Sequence, residues 1–311
     1  MRGRTELPER QLNQLTRDEL KKAGRADFWR ELSPDSRLSD EPFAELGELY
    51  QVSTQEVKRL RAQLLSEGYF QSTPLIPKEE TEKLASMVST VVARGFPPLF
   101  SMVYDDFWRL IARLEYLIVP LVGSEFKIVP DFWVWRVDGS SGKGGWVAHR
   151  DHECDHPFDE QGRPNLVTAW IALTEATLEN ACMYVLPTCH DEYLPDQVAN
   201  YSVPPGAEHH IRALPAQPGS VLGWNQHLLH WGSAYRSGPP RVSLGIYLQR
   251  ANAGPALTAA PAFRPKGRLG FDERLGMVGR MLVKYRHYGF SQELESFSRQ
   301  AWGFWQALRL R

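Results

Sequence analysis

The chain has 311 residues, of which 42% are hydrophobic and 23% are charged. This length and apolar content suit one large or two small globular domains and exclude a disordered chain. The 36 basic and 37 acidic side chains give a formal net charge of −1. Charge therefore gives no reason to expect a nucleic acid or an anionic membrane as a partner.

The sequence also lacks the features of a membrane or secreted protein. A membrane-spanning helix needs about 20 consecutive apolar residues, and the longest apolar stretches are far shorter. The first residues, Met1–Glu6, lack the apolar segment of a secretory signal. Three cysteines without a paired spacing, Cys154, Cys182 and Cys189, suit a reducing compartment. We therefore expect a cytoplasmic protein that does not engage membranes.

The first 75 or so residues have helical patterning. Thr16–Glu19 and Ser53–Glu56 both have the S/T-x-x-E form of a capping box. The second box precedes apolar residues of near-helical period, and Gly68 is suited to end that helix. Further helices are predicted from Pro77 onward and around Phe107–Leu114.

From about residue 126 the apolar period changes from 3.6 to 2. Four segments are rich in β-branched and aromatic residues and predict short antiparallel strands: Asp131–Val137, Leu166–Leu173, Ser220–Trp224 and Arg241–Leu248. After residue 252 an Ala/Pro/Gly-rich connection leads to further helical patterns at Phe271–Tyr288 and Ser291–Leu310. Helices on either side of a block of strands indicate an α+β protein rather than alternating βαβ units.

The densest group of possible metal ligands is His149–His156. Residues two apart on a strand face the same way, so His149 and Asp151 could present an imidazole and a carboxylate to one point. His230 lies 79 residues beyond Asp151 and could add a second imidazole. A polar loop at 149–156 and a hydrogen-bonded core histidine at 230 are the alternatives. The remaining polar residues up to His156 could shape the mouth of such a site.

An arginine follows 11 residues after His230 and opens the last predicted strand. Alternation puts Arg241, Ser243 and Tyr247 on one face of that strand and its aliphatic residues on the other. An arginine on an inward face is costly unless it holds an anion. A structural arginine in a salt bridge is the alternative.

Taken in order, these motifs resemble the phytanoyl-CoA dioxygenase family of 2-oxoglutarate-dependent non-haem iron oxygenases. The resemblance spans roughly residues 60–250 and is carried by Gly145–Asp151, Trp170–Asn180, Val185–His190, Gly219–Val221 and Pro240–Ser243. The chain departs from the family pattern at Asn180-Ala181 and at Pro187–His190. Those changes affect neighbours of the site and leave the ligand set intact.

The resemblance implies a double-stranded β-helix, a jelly-roll or cupin-like core flanked by N- and C-terminal helices. It divides the chain into an N-terminal helical extension (1–59), the oxygenase domain (60–252) and a C-terminal helical extension (253–311). The two extensions could form a substrate lid or the interface of a homo-oligomer.

The resemblance also assigns roles. His149, Asp151 and His230 are expected to ligate Fe(II), leaving three positions for a bidentate co-substrate and O₂. Arg241 is expected to bind the distal carboxylate of 2-oxoglutarate, with Ser243 as an additional donor. Further residues expected at the co-substrate or along the pocket are Asn180, Trp170, Arg136 and Tyr247.

The implied reaction is oxidation of a small organic substrate by O₂, most simply hydroxylation at a C–H bond, with release of succinate and CO₂. Related halogenases lack the carboxylate ligand, so the presence of Asp151 favours hydroxylation or an allied oxidation. Two other functions remain open at this point. One is a non-catalytic cupin-like protein that binds a metal or ligand, and the other is a zinc hydrolase, which leaves Arg241 unexplained.

Overall fold

The computed structural model describes residues 15–40, 47–124, 126–140, 145–151, 158–251 and 269–309. The polar segment 152–157, which includes Cys154, and most of the Ala/Pro/Gly-rich connection, 252–268, lie outside these ranges. Among the described helices, none combines the length and the apolar character needed to cross a membrane.

Helices dominate the part of the chain before residue 123. They are α1 (Arg17–Ala23), α2 (Ala26–Leu32), α3 (Thr54–Glu67), α4 (Lys78–Ala93), α5 (Asp105–Arg113) and α6 (Glu115–Val122). The predicted capping box at α1 is complete, because Thr16 and Glu19 each accept the other's backbone N–H. The sequence therefore fixes where this helix begins.

The second predicted capping box is only half formed. The Ser53 hydroxyl accepts the Glu56 backbone N–H at 3.1 Å and starts α3. The Glu56 carboxylate does not reach back, because it binds the Arg59 guanidinium at 2.7 and 2.8 Å. A charged, bidentate partner one turn along the helix outcompetes a neutral N–H. The helix ends as predicted at Gly68, where φ is +84°.

Nine strands among the described residues form two sheets in which every neighbouring pair is antiparallel. They are β1 (Tyr69–Gln71), β2 (Lys127–Val137), β3 (Trp146–His149), β4 (Leu166–Ala172), β5 (Met183–Leu186), β6 (Arg212–Leu214), β7 (Val221–Asn225), β8 (Leu229–Gly232) and β9 (Arg241–Gln249). The large sheet has the order β1-β7-β4-β9-β2 and the small sheet β3-β8-β5-β6. This is the double-stranded β-helix that the sequence predicts.

The strand predicted from Asp131 in fact begins four residues earlier, at Lys127. The pairing of β2 with β9 shifts register between Val129 and Phe132. A bulge that contains Pro130 breaks the two-residue alternation, so the sequence pattern becomes regular only after it.

The two faces of the large sheet have different roles. Its outer face carries aliphatic residues such as Val134, Leu244 and Ile246, which join the main hydrophobic core with α4, α5 and α7. Its inner face turns toward the small sheet, where a second core that includes Trp170, Trp224 and Val185 fills part of the space. The remaining space between the sheets is a cavity.

The C-terminal helices, α7 (Phe271–Lys284) and α8 (Gln292–Arg309), pack on each other. The helix predicted to reach Tyr288 ends at Lys284, and a 3₁₀ turn spans Arg286–Tyr288. Arg274 of α7 is fully buried and forms an ion pair with Asp105 of α5. Its guanidinium also donates to the carbonyls of Leu269 and Ser39, at 2.8 and 2.7 Å. This buried cluster attaches the C-terminal helices to the core.

Replacing Arg274 with alanine is expected to lower the free energy of unfolding by about 3–5 kcal/mol, since it leaves the Asp105 carboxylate buried without its cation. Urea denaturation measures the change. Arg299→Ala is the matched control, because Arg299 makes only an exposed, long pair with Glu295 at 3.9 Å, worth about 0.5 kcal/mol or less. Equal losses in the two variants would contradict this role of the buried pair.

Candidate active site

Strand pairing brings the two predicted histidine ligands together. In the register of β3 and β8, His149 lies directly opposite His230, and the two ring centroids are 4.2 Å apart. Asp151 follows β3, and its Oδ1 lies 3.8 Å from the Nε2 atom of each histidine. Within the described ranges, this is the only group of three or more candidate ligand side chains with ligand atoms this close, all within 4.8 Å.

Backbone carbonyls fix the orientation of both imidazoles. His149 Nδ1 lies 2.9 Å from the Val147 carbonyl oxygen, and His230 Nδ1 lies 3.0 Å from that of Leu228. A carbonyl can only accept, so each Nδ1 carries the proton and each Nε2 presents a lone pair. The same arrangement is usual for histidines that ligate metals. Both Nε2 atoms are therefore suited to bind one ion.

The carboxylate of Asp151 is also oriented. Its Oδ2 accepts a hydrogen bond from the Thr168 hydroxyl at 2.5 Å and another from Trp224 Nε1 at 2.9 Å. Oδ1 is left facing the two imidazoles. Burial raises the pKa of this carboxyl, but the two imidazoles and these two hydrogen bonds outweigh burial and hold it below its usual value. Asp151 is thus ionised and can offer one oxygen as a ligand.

His230 is buried as well. Burial, with a smaller contribution from the neighbouring His149, lowers the pKa of His230 to about 4. At neutral pH this imidazole is uncharged, which is the form that binds a metal. Two imidazoles and one carboxylate match the set that holds non-haem Fe(II) and leaves other positions open.

Arg241 lies at the start of β9 in the same cavity, only 5% exposed. Its guanidinium lies over the Trp170 ring, 5.4 Å from the ring centroid. Neither Nε nor Nη1 has a hydrogen-bond partner among the described residues, and the same holds for the Ser243 hydroxyl two residues along the strand. Burial lowers the pKa of Arg241 to about 10, so the group is still a cation at neutral pH. A buried cation without an anion is costly, and a ligand carboxylate would satisfy these donors.

The sequence of this region matches a known family. Residues 131–243 match the family model for phytanoyl-CoA dioxygenase (PhyH). This segment is a PhyH domain. The family predicted from the sequence motifs is confirmed for this segment. A search of curated protein sequences gives no match.

Solved structures share the fold of the PhyH domain. SnoN, a non-haem alpha-ketoglutarate-dependent epimerase from nogalamycin biosynthesis, aligns with a TM-score of 0.54 at 20% identity over 70% of this chain and 94% of its own. The carbocyclase SnoK aligns with a TM-score of 0.52 at 17% identity, over 66% of this chain and 87% of its own. The apo form of the non-haem monooxygenase ThoJ aligns with a TM-score of 0.54 at 13% identity, over 78% of this chain and 99% of its own. At these identities the likeness concerns the fold, and the predicted jelly-roll class is confirmed.

Most of the predicted pocket residues line the cavity of the PhyH domain. Trp170, Tyr247 and Arg136 do so, together with the three candidate ligands and Arg241. The structure does not bring Asn180 to the cavity. The Asn180 side chain accepts the Thr177 backbone N–H at 2.6 Å and donates to the carbonyls of Glu175 and Pro239. Its amide stabilises a loop, so the structure gives it no group free for a cofactor.

Sequence reasoning missed several residues that shape the PhyH site. Thr168 could have been found, since it lies two residues before Trp170 on the same face of β4. Arg150 points away from its two neighbours, and its guanidinium binds Asp191 at 2.6 Å and the His227 carbonyl at 2.7 Å. This buried pair holds the backbone between His149 and Asp151 in place. No motif pointed to Tyr285 and Tyr288, which line the cavity from beyond α7.

The hydroxyl of Thr168 offers a test of how Asp151 is oriented. Thr168→Val keeps the shape of the side chain and removes the 2.5 Å hydrogen bond to Oδ2. We expect Fe(II) affinity to fall by about 10–100-fold, as for other losses of groups that orient metal ligands. Competition with a coloured chelator measures the affinity. Thr168→Ser keeps the hydroxyl and should bind Fe(II) nearly as the wild type does; equal weakening in both variants would argue against the hydrogen bond.

Proposed function

We propose that the chain is an Fe(II)- and 2-oxoglutarate-dependent oxygenase that oxidises a small organic substrate with O₂ and releases succinate and CO₂. Hydroxylation at a C–H bond is the outcome we expect. The observation that carries the proposal is the cavity that contains both the His149–Asp151–His230 group and the unpaired, buried cation of Arg241. A metal-binding protein without a co-substrate would have no use for such an arginine.

The comparisons support the same cofactors. A SnoN structure of 19% identity to this chain, with a TM-score of 0.52, holds Fe³⁺, alpha-ketoglutarate and nogalamycin RO. The similar folds include an epimerase, a carbocyclase and a monooxygenase. The fold alone therefore does not select the outcome of the oxidation. The carboxylate ligand at position 151 supports hydroxylation over halogenation, because halide needs the position that the carboxylate fills.

Each residue of the site has a distinct task in this proposal. Bound Fe(II) with 2-oxoglutarate would activate O₂, the oxidant that oxidises both 2-oxoglutarate and the substrate C–H bond. His149, Asp151 and His230 hold the metal on one side and leave the other side open. Arg241 and Ser243 bind the distal carboxylate of the co-substrate, which a planar guanidinium can grip with two donors. Thr168 and Trp224 keep one oxygen of Asp151 occupied, so that the other is directed at the metal.

Anaerobic absorption spectroscopy tests the proposal. Addition of Fe(II) and 2-oxoglutarate together should give a weak visible charge-transfer band that neither gives alone, because the band requires the keto acid to chelate the bound metal. A cupin-like protein that binds only metal would take up Fe(II) without such a band. Absence of the band at saturating concentrations of both would overturn the proposal.

A further inference from the structure

Five aromatic side chains form one side of the cavity, here called the aromatic wall: Trp133, Trp135, Trp146, Tyr285 and Tyr288. They come from three separate parts of the chain. The first two lie on the inner face of β2, the third opens β3 in the other sheet, and the two tyrosines lie at the end of α7 and in the 3₁₀ turn after it. The wall thus joins both sheets and the C-terminal helices.

The rings of the aromatic wall touch one another in an unbroken series. Trp133 meets Tyr285 and Tyr288 with ring centroids 4.9 and 5.4 Å apart, in both cases edge to face. Tyr288 meets Trp146 at 5.6 Å, and Trp146 meets Trp135 at 4.6 Å, again edge to face. Edge-to-face contact is a preferred aromatic geometry. The rings hold each other in place, with neighbouring rings at steep angles, so faces and edges alternate along the wall.

The aromatic wall leads directly to the candidate metal ligands. The Trp146 ring centroid lies 6.2 Å from that of His149. A molecule lying along the wall therefore has one edge beside the metal position. This is where the C–H bond to be oxidised must lie in the proposed function.

The charges around the cavity are balanced once both cofactors are counted. The two positive charges of Fe(II) and the one of Arg241 balance the single negative charge of Asp151 and the two of 2-oxoglutarate. The other charged residues among the described cavity lining, Asp131 and Arg136, are already paired, with Lys284 and Asp138. Among the described residues that line the cavity, no unpaired charge is left to recognise an anionic or a cationic substrate.

We infer that the aromatic wall binds the primary substrate and selects an uncharged molecule with a flat ring system. The inference rests on the proposed function, since it assigns the substrate class of the same site. Flat aromatic faces gain more from contact with a planar ring than from an irregular aliphatic surface of the same size. An aromatic site for an ammonium ion is less suitable here, because an ammonium ion would add a charge that no unpaired carboxylate among the described lining residues compensates.

The C-terminal extension belongs to this binding surface. Asp131 in β2 forms an ion pair with Lys284 and accepts a hydrogen bond from the Tyr285 hydroxyl at 3.4 Å. These contacts fix the end of α7 against the sheet and with it both tyrosines of the wall. The extension therefore helps to define substrate choice and is more than a cover for the barrel.

Calorimetric titration of the full chain, loaded with Mn(II) and 2-oxoglutarate, tests the inference without turnover. The probes are 2-naphthol and decahydro-2-naphthol, which share a carbon skeleton and a hydroxyl but differ in flatness. We expect 2-naphthol to bind about fivefold more tightly, the size of an aromatic contact. 2-Naphthoate and a naphthyl trimethylammonium ion should both bind more weakly than 2-naphthol.

Variants locate the preference on the wall. Trp146→Leu and Tyr288→Leu should each abolish most of the fivefold preference, whereas Trp146→Phe should keep it. Phe304→Leu is the control, since Phe304 lies on α8 and is 53% exposed. If a leucine variant fails to fold, the comparison of the two alcohols on the wild-type chain still tests whether the site prefers a flat molecule. Equal affinity for the two alcohols, or tighter binding of either charged probe, would overturn the inference.

The two proposals fail separately. Loss of the charge-transfer band with an intact preference for 2-naphthol would reject the proposed oxygenase and leave the wall as a ring-binding surface. A normal band without the preference would reject only the substrate class.

Discussion

Replacement of Asp151 by alanine is expected to reduce the conversion of 2-oxoglutarate to succinate by more than about a hundredfold. Loss of a group that merely orients a ligand already costs 10–100-fold in metal affinity or activity, and this change removes a ligand itself. It also leaves two imidazoles without the carboxylate that faces both at 3.8 Å. Succinate released under air with added Fe(II), measured by chromatography, gives the rate.

Asp196→Ala is the control for this experiment, because Asp196 is an exposed carboxylate outside the cavity. It should release succinate at the wild-type rate. An Asp151→Ala chain that still couples O₂ to succinate formation at a comparable rate would show that Asp151 is not a metal ligand. It would contradict the proposed mechanism.

Replacement of Arg241 by methionine is expected to have two effects of opposite sign. The cofactor-free chain should become more stable, by about 1–3 kcal/mol, because a buried cation is replaced by an apolar side chain of similar length. Two nitrogens of that cation have no hydrogen-bond partner among the described residues. Binding of 2-oxoglutarate should be lost, because the grip on its distal carboxylate is gone. A site selected for function rather than for stability has this signature.

Thermal and urea denaturation separate the two effects. With Mn(II) present, 2-oxoglutarate at a hundred times its dissociation constant should stabilise the wild type by about 2.7 kcal/mol and should leave Arg241→Met nearly unchanged. Arg236→Met, at an exposed position, controls for the loss of a surface charge. A methionine variant that is destabilised and still responds fully to 2-oxoglutarate would show that Arg241 is a structural residue.

The sequence predicts the chemistry of the site well because that chemistry is local along the chain. Alternation along one strand puts Arg241 and Ser243 on a common face. Two guanidinium nitrogens of Arg241 and the Ser243 hydroxyl have no hydrogen-bond partner among the described residues. Asp151 lies just beyond the end of β3, so strand alternation does not place it, although its Oδ1 lies 3.8 Å from His149 Nε2. The order of the motifs then predicts the family, which the match over residues 131–243 confirms.

The sequence does not reveal features that depend on contacts between distant segments. The pairing that sets His149 opposite His230 joins strands 80 residues apart, and no pattern within either strand encodes it. Tyr285 and Tyr288 line the cavity from the end of α7, which the ion pair of Lys284 with Asp131 attaches to β2. The role of Asn180 at the co-substrate stays a prediction; its amide binds the backbone of Thr177 and Glu175 in its own loop and of Pro239 in a distant one. The three-part division of the chain and the possible homo-oligomer stay predictions.

A crystal structure of the chain grown anaerobically with Fe(II) and 2-oxoglutarate tests the central claim most directly. We expect one metal ion that lies within about 2.2 Å of His149 Nε2, of His230 Nε2 and of an oxygen of Asp151. We also expect the distal carboxylate of 2-oxoglutarate against the Arg241 guanidinium and the Ser243 hydroxyl. A metal ion bound elsewhere, or a co-substrate whose distal carboxylate lies away from Arg241, would contradict the claim.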